Sequence, residues 1–182
     1  WKKLLSVRKE RDKTGEFIIE GYHLVEEAIK QKVNVLTIMM SDTSNIPESW
    51  DMENLEIAEI NDVIKNELAE TEHTQGIFAH CKQQVIEIED QFKWNRFLLI
   101  DAVQDPGNVG TMIRTADAAG IDAVILGKGS ADAFNSKTLR SAQGSHFHIP
   151  VLRGDLHTWV DQLKDRQVTV FGTALEQSTP FN

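Results

Sequence analysis

The segment whose residue types most clearly suggest chemistry is DAVQDPGNVGTMIRTADAAG, residues 101–120. It follows an apolar run, bends at a Pro-Gly pair and continues with helical spacing that carries one arginine, Arg114. A guanidinium can hold a phosphate through two parallel hydrogen bonds, and the free N–H groups at a helix start also attract anions. The segment therefore predicts an anion site. The competing interpretation is a surface ion pair between Arg114 and Asp117 or another acid.

The helix that carries this arginine is predicted over 108–119, with Asn108 as its N-cap and Gly120 at its end. Gly110 is predicted to let a phosphate approach the first turn, because it has no side chain. Arg114 lies on a flank of the helix, one turn above the loop. The face toward the sheet is predicted from apolar spacing at Val109, Met112, Ile113 and Ala116.

The second half of the chain alternates between strand and helix patterns. Strand-like runs start near Phe97, Asp122, Phe147 and Val168, and helical stretches lie between them at 108–119, 135–144 and 155–165. This alternation predicts an α/β domain with a parallel sheet, in which ligand sites form at the carboxyl ends of strands. The opening segment follows such an end. Asn135 is predicted to cap the second of these helices.

The first half mixes strands and helices in a small α/β unit. Strands are predicted at 17–21, 33–40, 55–60 and 76–81, and helices at 22–31 and 61–70. A polar, acidic stretch follows. We therefore predict a first domain over 1–86, a linker over 87–95 and a second domain over 96–182.

The charge of the chain is unevenly distributed. The net charge of −9 argues against binding nucleic acid over the whole surface. Residues 1–13, however, hold six basic and two acidic side chains, which predicts either a basic arm that meets phosphate or a solvated helix face. The arm's candidate RNA contacts are Lys2, Lys3, Arg8, Lys9 and Arg11.

Composition and motifs exclude several classes of protein. No run approaches the roughly 20 apolar residues that span a bilayer, and Cys81 is the single cysteine, so we expect a cytoplasmic protein without a membrane partner or a disulfide. Dinucleotide and phosphate-loop signatures are absent. His146 and His148 flank Phe147 on a predicted strand and could form a metal pair, but no third ligand accompanies them, and no metal is predicted.

The pattern D-x-V-x-D-P-x-N-x-G-x-x-x-R-x-A-x-A-x-G at 101–120 resembles the first signature of the SpoU-type (TrmH-like) RNA ribose methyltransferases of the SPOUT class. The K-x-x-R-x-(S/A)-x-G pattern at 137–144 is similar to their second helix. FIIEGYHLVEEAI and TEHTQGIFAHC resemble the small amino-terminal substrate-binding domain that many members carry, which is related to ribosomal RNA-binding proteins. The resemblance covers nearly the whole chain.

The resemblance implies transfer of a methyl group from S-adenosylmethionine to a ribose 2′-OH of RNA, and we expect 23S rRNA as the substrate. It also implies a homodimer and a trefoil knot that holds the methyl donor. By similarity Arg114 and Asn108 are catalytic, with Arg114 as either a base or, as we favour, a phosphate clamp. The residues implied for the donor are Thr173, Ala174 and Leu175, and those implied for RNA are Lys137, Arg140 and Asn135.

The family's second and third signatures are not found up to Asn182. We therefore expect a methyltransferase domain that lacks its knot segment, and poor donor binding and activity in this fragment. Three alternatives stay open: a tRNA 2′-O-methyltransferase, a non-catalytic RNA-binding protein on a methylase scaffold, and an acidic α/β protein that binds another nucleotide.

Overall fold

The computed structural model of the protein describes residues 1–53, 55–86 and 93–173. Its helices are α1 (Lys2–Ser6), α2 (Arg8–Thr14), α3 (Tyr22–Lys30), α4 (Asp62–Leu68), α5 (Pro106–Ala118), α6 (Ser136–Ala142) and α7 (Leu156–Asp165). Its strands are β1 (Glu16–Glu20), β2 (Asn34–Met40), β3 (Ile57–Glu59), β4 (Ile77–Lys82), β5 (Phe97–Ile100), β6 (Ala123–Leu126) and β7 (Val151–Arg153). Short 3-10 turns occupy Thr43–Asn45 and Ser145–Phe147.

The first sheet has the strand order β1-β4-β2-β3 and is covered on both faces. Strands β1, β4 and β2 are antiparallel neighbours, and β3 runs parallel to β2. Successive side chains of β1 point to opposite faces, so Phe17 and Ile19 pack in one core with Val25 of α3. Ile18 packs in the opposite core with Leu4 of α1. Both predicted helices and all four predicted strands of this half are confirmed within a few residues.

The basic amino-terminal stretch is folded onto this sheet and does not form an extended arm. Leu4 and Leu5 of α1 are buried in the core beneath the sheet, with Leu68 of α4. The positive φ of Gly15, 67°, ends α2 in the left-handed region and turns the chain into β1. The expectation of an arm was wrong because the two leucines supply apolar surface that the sheet buries.

The second sheet is parallel, with the order β5-β6-β7. This confirms the predicted α/β class. Every residue of the central strand β6 is buried, and helix α5 packs against the sheet through Val109, Ile113 and Ala116. Met112 is 38% exposed, so its predicted place on the buried face was wrong; it lies on the outer flank of the helix.

Two strand predictions in this half need correction. The run FHIPVL was predicted as one strand from Phe147, but Ser145–Phe147 form a 3-10 turn and pairing begins only at Val151, after Pro150. Pro150 has no N–H to give to a ladder. The strand predicted from Val168 does not form over 168–173, which lies mostly exposed and pairs with no strand among the described residues. Apolar content alone does not make a strand without a neighbour to pair with.

The two sheets are joined by a shared core. Leu139 of α6 belongs to the apolar cluster of the first sheet, and Phe134 and Phe147 pack against the same cluster. The rings of Phe17 and Phe134 lie 4.9 Å apart between centroids. The predicted domain boundaries stay a prediction, and residues 87–92 of the predicted linker lie outside the described residues. No helix in the described part of the chain is long and apolar enough to cross a bilayer.

Candidate active site

The candidate site begins where β5 ends and the chain turns into α5. Asp105 is the N-cap of this helix: its Oδ1 accepts a hydrogen bond from the backbone N–H of Asn108 at 2.8 Å. Pro106 occupies the first helical turn, where the missing N–H costs nothing. The prediction of Asn108 as N-cap was therefore wrong. Asn108 lies in the first turn, exposed, and its side chain makes no hydrogen bond among the described residues.

An ion pair joins the starts of α5 and α6. Lys137 Nζ lies 2.9 Å from Asp105 Oδ2. The hydrogen bond from Lys137, followed by the one from the Asn108 N–H, holds the pKa of Asp105 below its usual range. Asp105 thus stays ionised beside the helix start, while Lys137 offsets its charge. Lys137 is an exposed cation of this edge, as the sequence indicated, but it already has a carboxylate partner.

Arg114 projects into solvent from the flank of α5. Asn108 and Arg114 are six residues apart, which corresponds to about 9 Å along a helix axis. Arg114 is exposed and has no hydrogen bond or ion pair among the described residues. The competing interpretation, a pair with Asp117, is wrong because Asp117 Oδ2 instead lies 2.7 Å from His148 Nδ1. The guanidinium is available to a ligand.

Gly110 serves helix packing. It is fully enclosed between α5 and α6, and a Cβ at this position would collide with the carbonyl oxygen of Thr138 and lie 2.6 Å from Cβ of Ser141. The prediction that Gly110 lets a phosphate approach was wrong, since the space above it belongs to α6. The glycine fixes how closely the helix of Arg114 and the helix of Arg140 approach.

Helix α6 places Lys137 and Arg140, the two basic residues implied for RNA, in different surroundings. Asn135 caps α6 through a hydrogen bond from the Lys137 N–H to its Oδ1 at 2.9 Å, as predicted. Arg140 faces the first half of the chain and lines a cleft of about 290 Å³ together with His23, His73 and Gln143. Its Nη1 is buried and has no hydrogen-bond partner in the part of the chain that the structure describes. Arg140 therefore contributes a cation to the seam between the two halves, while Lys137 lies against Asp105.

The basic residues of the amino terminus divide into buried and exposed groups. Arg11 is 3% exposed and pairs with Asp132, so its assignment as an RNA contact is contradicted. Lys2 lies 3.5 Å from Glu67 and Arg8 lies 3.2 Å from Asp12, both as exposed pairs. Lys3 and Lys9 are exposed as well.

The predicted donor wall is described only at its first residue. Thr173 is exposed, and the neighbouring Gly172 has open space around it. Ala174 and Leu175 lie outside the described residues. His146 and His148 do not share a strand face, because the 3-10 turn places them apart, and the described residues hold no group of three potential metal ligands.

Sequence reasoning missed the carboxylates and the histidine that organise this region. The signal for Asp105 was present, since a proline at the first helical position places the cap one residue earlier. The contacts of His148 had no local signal. Its Nε2 lies 2.9 Å from Glu27 Oε1 and its Nδ1 contacts Asp117, and these partners lie far apart in the sequence.

The fold and this site define a class: an α/β protein in which a parallel-sheet domain bearing an exposed Asn–Arg helix packs against a small mixed-sheet domain. Residues 95–182 match the SpoU rRNA Methylase family, and residues 1–79 match the MRM3-like substrate binding domain. The chain belongs to the SpoU rRNA methylase family.

Individual relatives agree with this assignment. The chain is 53% identical over 181 residues to the 23S rRNA (guanosine(2553)-2′-O)-methyltransferase RlmP of Bacillus subtilis (strain 168). The match covers 100% of this chain and 71% of RlmP. It is 30% identical over 153 residues to the mitochondrial rRNA methyltransferase 3 of Xenopus laevis, covering 80% of this chain and 36% of that protein.

A solved structure shows the same architecture. The SpoU methyltransferase AviRb from Streptomyces viridochromogenes, in complex with the cofactor AdoMet, superposes with a TM-score of 0.78 at 26% identity. The match covers 92% of this chain and 66% of AviRb. The chain thus spans about two thirds of AviRb and about a third of the mitochondrial relative.

Proposed function

We propose that this chain forms the substrate-binding domain and the catalytic-helix part of an enzyme that methylates a ribose 2′-OH in 23S rRNA with S-adenosylmethionine. The observation that carries the proposal is the exposed guanidinium of Arg114, which is unpaired among the described residues although an aspartate follows three positions later. An arginine kept out of an available ion pair is suited to an external anion. The 53% identity to RlmP favours ribosomal over transfer RNA as the substrate.

Arg114 is proposed to act as a clamp on the sugar–phosphate of the target nucleotide. Methyl transfer to a 2′-OH requires that a poor nucleophile be aimed and relieved of its proton. A guanidinium keeps its proton in proteins, so it is a poor base. It can hold a phosphate bidentately and stabilise negative charge that develops on the neighbouring hydroxyl oxygen.

Asn108 is proposed to position the acceptor from the first turn of α5. Its amide offers both a donor and an acceptor, its backbone N–H donates to the Asp105 cap, and the residue is exposed. The Asp105 carboxylate would repel a nearby phosphate, and the Lys137 ammonium 2.9 Å away offsets this repulsion. The ion pair between Asp105 and Lys137 therefore makes the start of the helix compatible with RNA.

The methyl donor is proposed to bind beside Thr173, Ala174 and Leu175. The described part of this wall is open to such a ligand, because Thr173 is exposed and, apart from the adjoining residues, no described heavy atom lies within 4 Å of the position a Cβ of Gly172 would take. A threonine hydroxyl and exposed backbone N–H and C=O groups can form hydrogen bonds with polar groups of a nucleoside. S-adenosylmethionine supplies a methyl group activated on a sulfonium.

The RNA is proposed to cross from the start of α5 to the small domain. Lys137 and Arg140 flank this path, and Asn135 holds the first turn of α6 beneath it. Lys2, Lys3, Arg8 and Lys9 provide an exposed basic patch on the small domain. A substrate bound through such contacts loses affinity steeply as salt rises.

The assembly is proposed to be a homodimer in the cytoplasm, where ribosomal RNA is made in bacteria. The resemblance to the methyltransferase family supports the dimer. Light scattering on the full-length protein should return twice the chain mass, and a monomeric mass at micromolar concentration would contradict the dimer.

The activity is tested with the full-length protein and 23S rRNA from a strain that lacks it. We expect labelled methyl groups to enter the rRNA, and digestion with mass spectrometry to place the modification on a ribose. The Arg114→Ala variant should abolish incorporation, whereas Arg96→Ala, which replaces an exposed arginine just before β5 at the opposite end of the sheet from the start of α5, should retain it. Salt-dependent RNA binding without incorporation would identify a non-catalytic binder, and incorporation into tRNA alone would identify the tRNA enzyme.

A further inference from the structure

A histidine bridges the small domain and the helix of Arg114. His148 follows the 3-10 turn at Ser145–Phe147, and its ring lies between two carboxylates. Nδ1 is 2.7 Å from Oδ2 of Asp117 in the last turns of α5, and Nε2 is 2.9 Å from Oε1 of Glu27 in α3. One side chain therefore contacts an acid from each half of the protein.

Both contacts require the charged form of the ring. A neutral imidazole has one N–H, whereas the imidazolium has two and can donate to both acids. The hydrogen bond to Glu27, and after it the one to Asp117, raises the pKa of His148 above its ordinary value. The same bond lowers the pKa of Glu27. The bridge is thus a carboxylate–imidazolium–carboxylate chain.

Among the described residues, helices α3 and α5 present charged groups to His148. Helix α3 presents Glu27, with Lys30 behind it acting on the same carboxylate. Helix α5 presents Asp117. The bridge carries a net negative charge, so it does not itself attract phosphate.

The position of Asp117 gives this bridge a consequence for the site. Residues three apart on a helix are neighbours on its surface, and an Arg–Asp pair at that spacing forms readily. Asp117 is three residues beyond Arg114, yet its carboxylate is turned to His148 and Arg114 has no partner among the described residues. A carboxylate released from His148 would be free to turn to the guanidinium.

We propose that His148 is a positioning residue that sequesters Asp117 and thereby keeps Arg114 available to the RNA. Through Glu27 the same ring ties the substrate-binding domain to α5. Binding of RNA to that domain is therefore coupled to whether Arg114 is free of an ion pair with Asp117. The inference rests on the proposed function, since it takes Arg114 to be the group that contacts the reacting nucleotide.

The test is a rescue experiment in the full-length enzyme with 23S rRNA as substrate. His148→Ala should lower kcat/KM about two- to fivefold, the size of effect expected from a surface ion pair that competes for the arginine. Asp117→Asn alone should stay near the wild-type value. The double variant should recover the wild-type kcat/KM, because no carboxylate is left to capture Arg114. A role limited to folding predicts instead that the double variant is as poor as the single one.

Two further measurements keep the result interpretable. The difference between wild type and His148→Ala should shrink as pH rises through the raised pKa of His148, because the neutral ring can donate to one acid only. If His148→Ala loses its thermal unfolding transition, His148→Gln replaces it with the same expectations.

The matched controls are two glutamates of α3. Glu27→Gln should weaken RNA binding by loosening the contact between His148 and Glu27. Glu26→Gln, at a partly exposed neighbour paired with Lys30, should not.

Two results would overturn the inference: wild-type kcat/KM in the His148 variant, or no recovery in the double variant. Failure of the proposed function is separate, since it would be seen as retained turnover in Arg114→Ala. Loss of turnover in that variant, combined with a failed rescue, would leave the proposed function standing and reject the role of His148.

Discussion

The guanidinium of Arg11 donates two hydrogen bonds to the same carboxylate oxygen of Asp132, at 2.9 Å from Nε and 2.7 Å from Nη2, across 121 positions of sequence. Its Nη1 donates to the carbonyl oxygens of Leu4 and Leu5. The pair is nearly enclosed, with 4% and 11% of the two side chains exposed. A single arginine from the middle of α2 thus holds the end of α1 and helix α2 against the loop that leads to α6.

Replacing Arg11 should destabilise the protein far more than replacing a surface arginine. Arg11→Met leaves a buried carboxylate and two carbonyls without their donor, and breaking such a pair costs about 3 kcal/mol. Urea unfolding should show this loss, whereas Arg8→Met, which breaks the exposed pair with Asp12, should cost at most about 0.5 kcal/mol. Equal effects of the two substitutions would mean that the Arg11 pair contributes nothing beyond a surface contact.

The close approach of α5 and α6 should depend on Gly110. In Gly110→Ala the added methyl meets the Thr138 carbonyl and the Ser141 side chain, so the helices must move apart. Overpacking of this kind costs about 1–3 kcal/mol. Thermal unfolding should show the loss, and kcat/KM should fall because Asn108 and Arg114 shift with α5.

The matched control for this glycine is Gly172→Ala, which adds the same methyl where no heavy atom lies within 4 Å. Its unfolding temperature should stay within a degree or two of wild type. A Gly110→Ala variant as stable as this control would show that the helix contact is loose enough to absorb a methyl group.

The sequence predicted the elements better than the contacts between them. Local spacing was sufficient for α3, α4, α5 and α6 because each carries its own cap or apolar face. The burial of Arg11 could not be anticipated, since its partner lies 121 residues away. The contacts of His148 could not be predicted for the same reason, because its partners Asp117 and Glu27 come from two distant helices.

Other errors had local causes. The cap of α5 was placed at Asn108, although Pro106 at the first turn indicated Asp105. The run at 168–173 has strand-like residues, but a strand also needs a hydrogen-bonded neighbour, which the pattern of one segment does not reveal. Arg114 was predicted at the surface from helical spacing alone; that it lacks a partner depends on where Asp117 points, which only the packed structure shows.

Two histidines should give the protein opposite dependences of stability on pH. Both ring nitrogens of His146 are buried, and burial, which outweighs an opposing interaction with the Ala133 backbone, lowers its pKa from 6.5 to about 4. The unfolded chain therefore binds a proton at this site below about pH 6.5, and the folded protein does so only near pH 4. Stability should fall by up to about 3 kcal/mol as pH drops through that interval.

His146→Phe should remove this acid-sensitive part of the stability. The ring lines a cleft of about 480 Å³ beside Phe134 and Phe147, so a phenyl group has apolar neighbours. Urea unfolding at pH 5 and pH 7.5 should differ less in the variant than in wild type. His148→Gln should act in the other direction: its pKa is raised, so its contribution is present below pH 6.5 and lost as pH rises. A variant of His146 with the wild-type pH dependence would contradict this account.

The geometry of the Arg114 guanidinium, beyond its charge, should matter for methyl transfer. Arg114→Lys keeps a cation on the exposed flank of α5 but cannot make two parallel hydrogen bonds to one phosphate. The loss of a charge-assisted hydrogen bond costs about 1.5–3 kcal/mol, so kcat/KM should fall at least about tenfold with 23S rRNA while the unfolding temperature stays unchanged. Arg96→Lys, at an exposed arginine just before β5 that has no proposed role in the site, provides the matched control and should retain full turnover. A lysine variant with near-wild-type turnover would show that a point charge suffices at this position and that Arg114 is not a bidentate clamp.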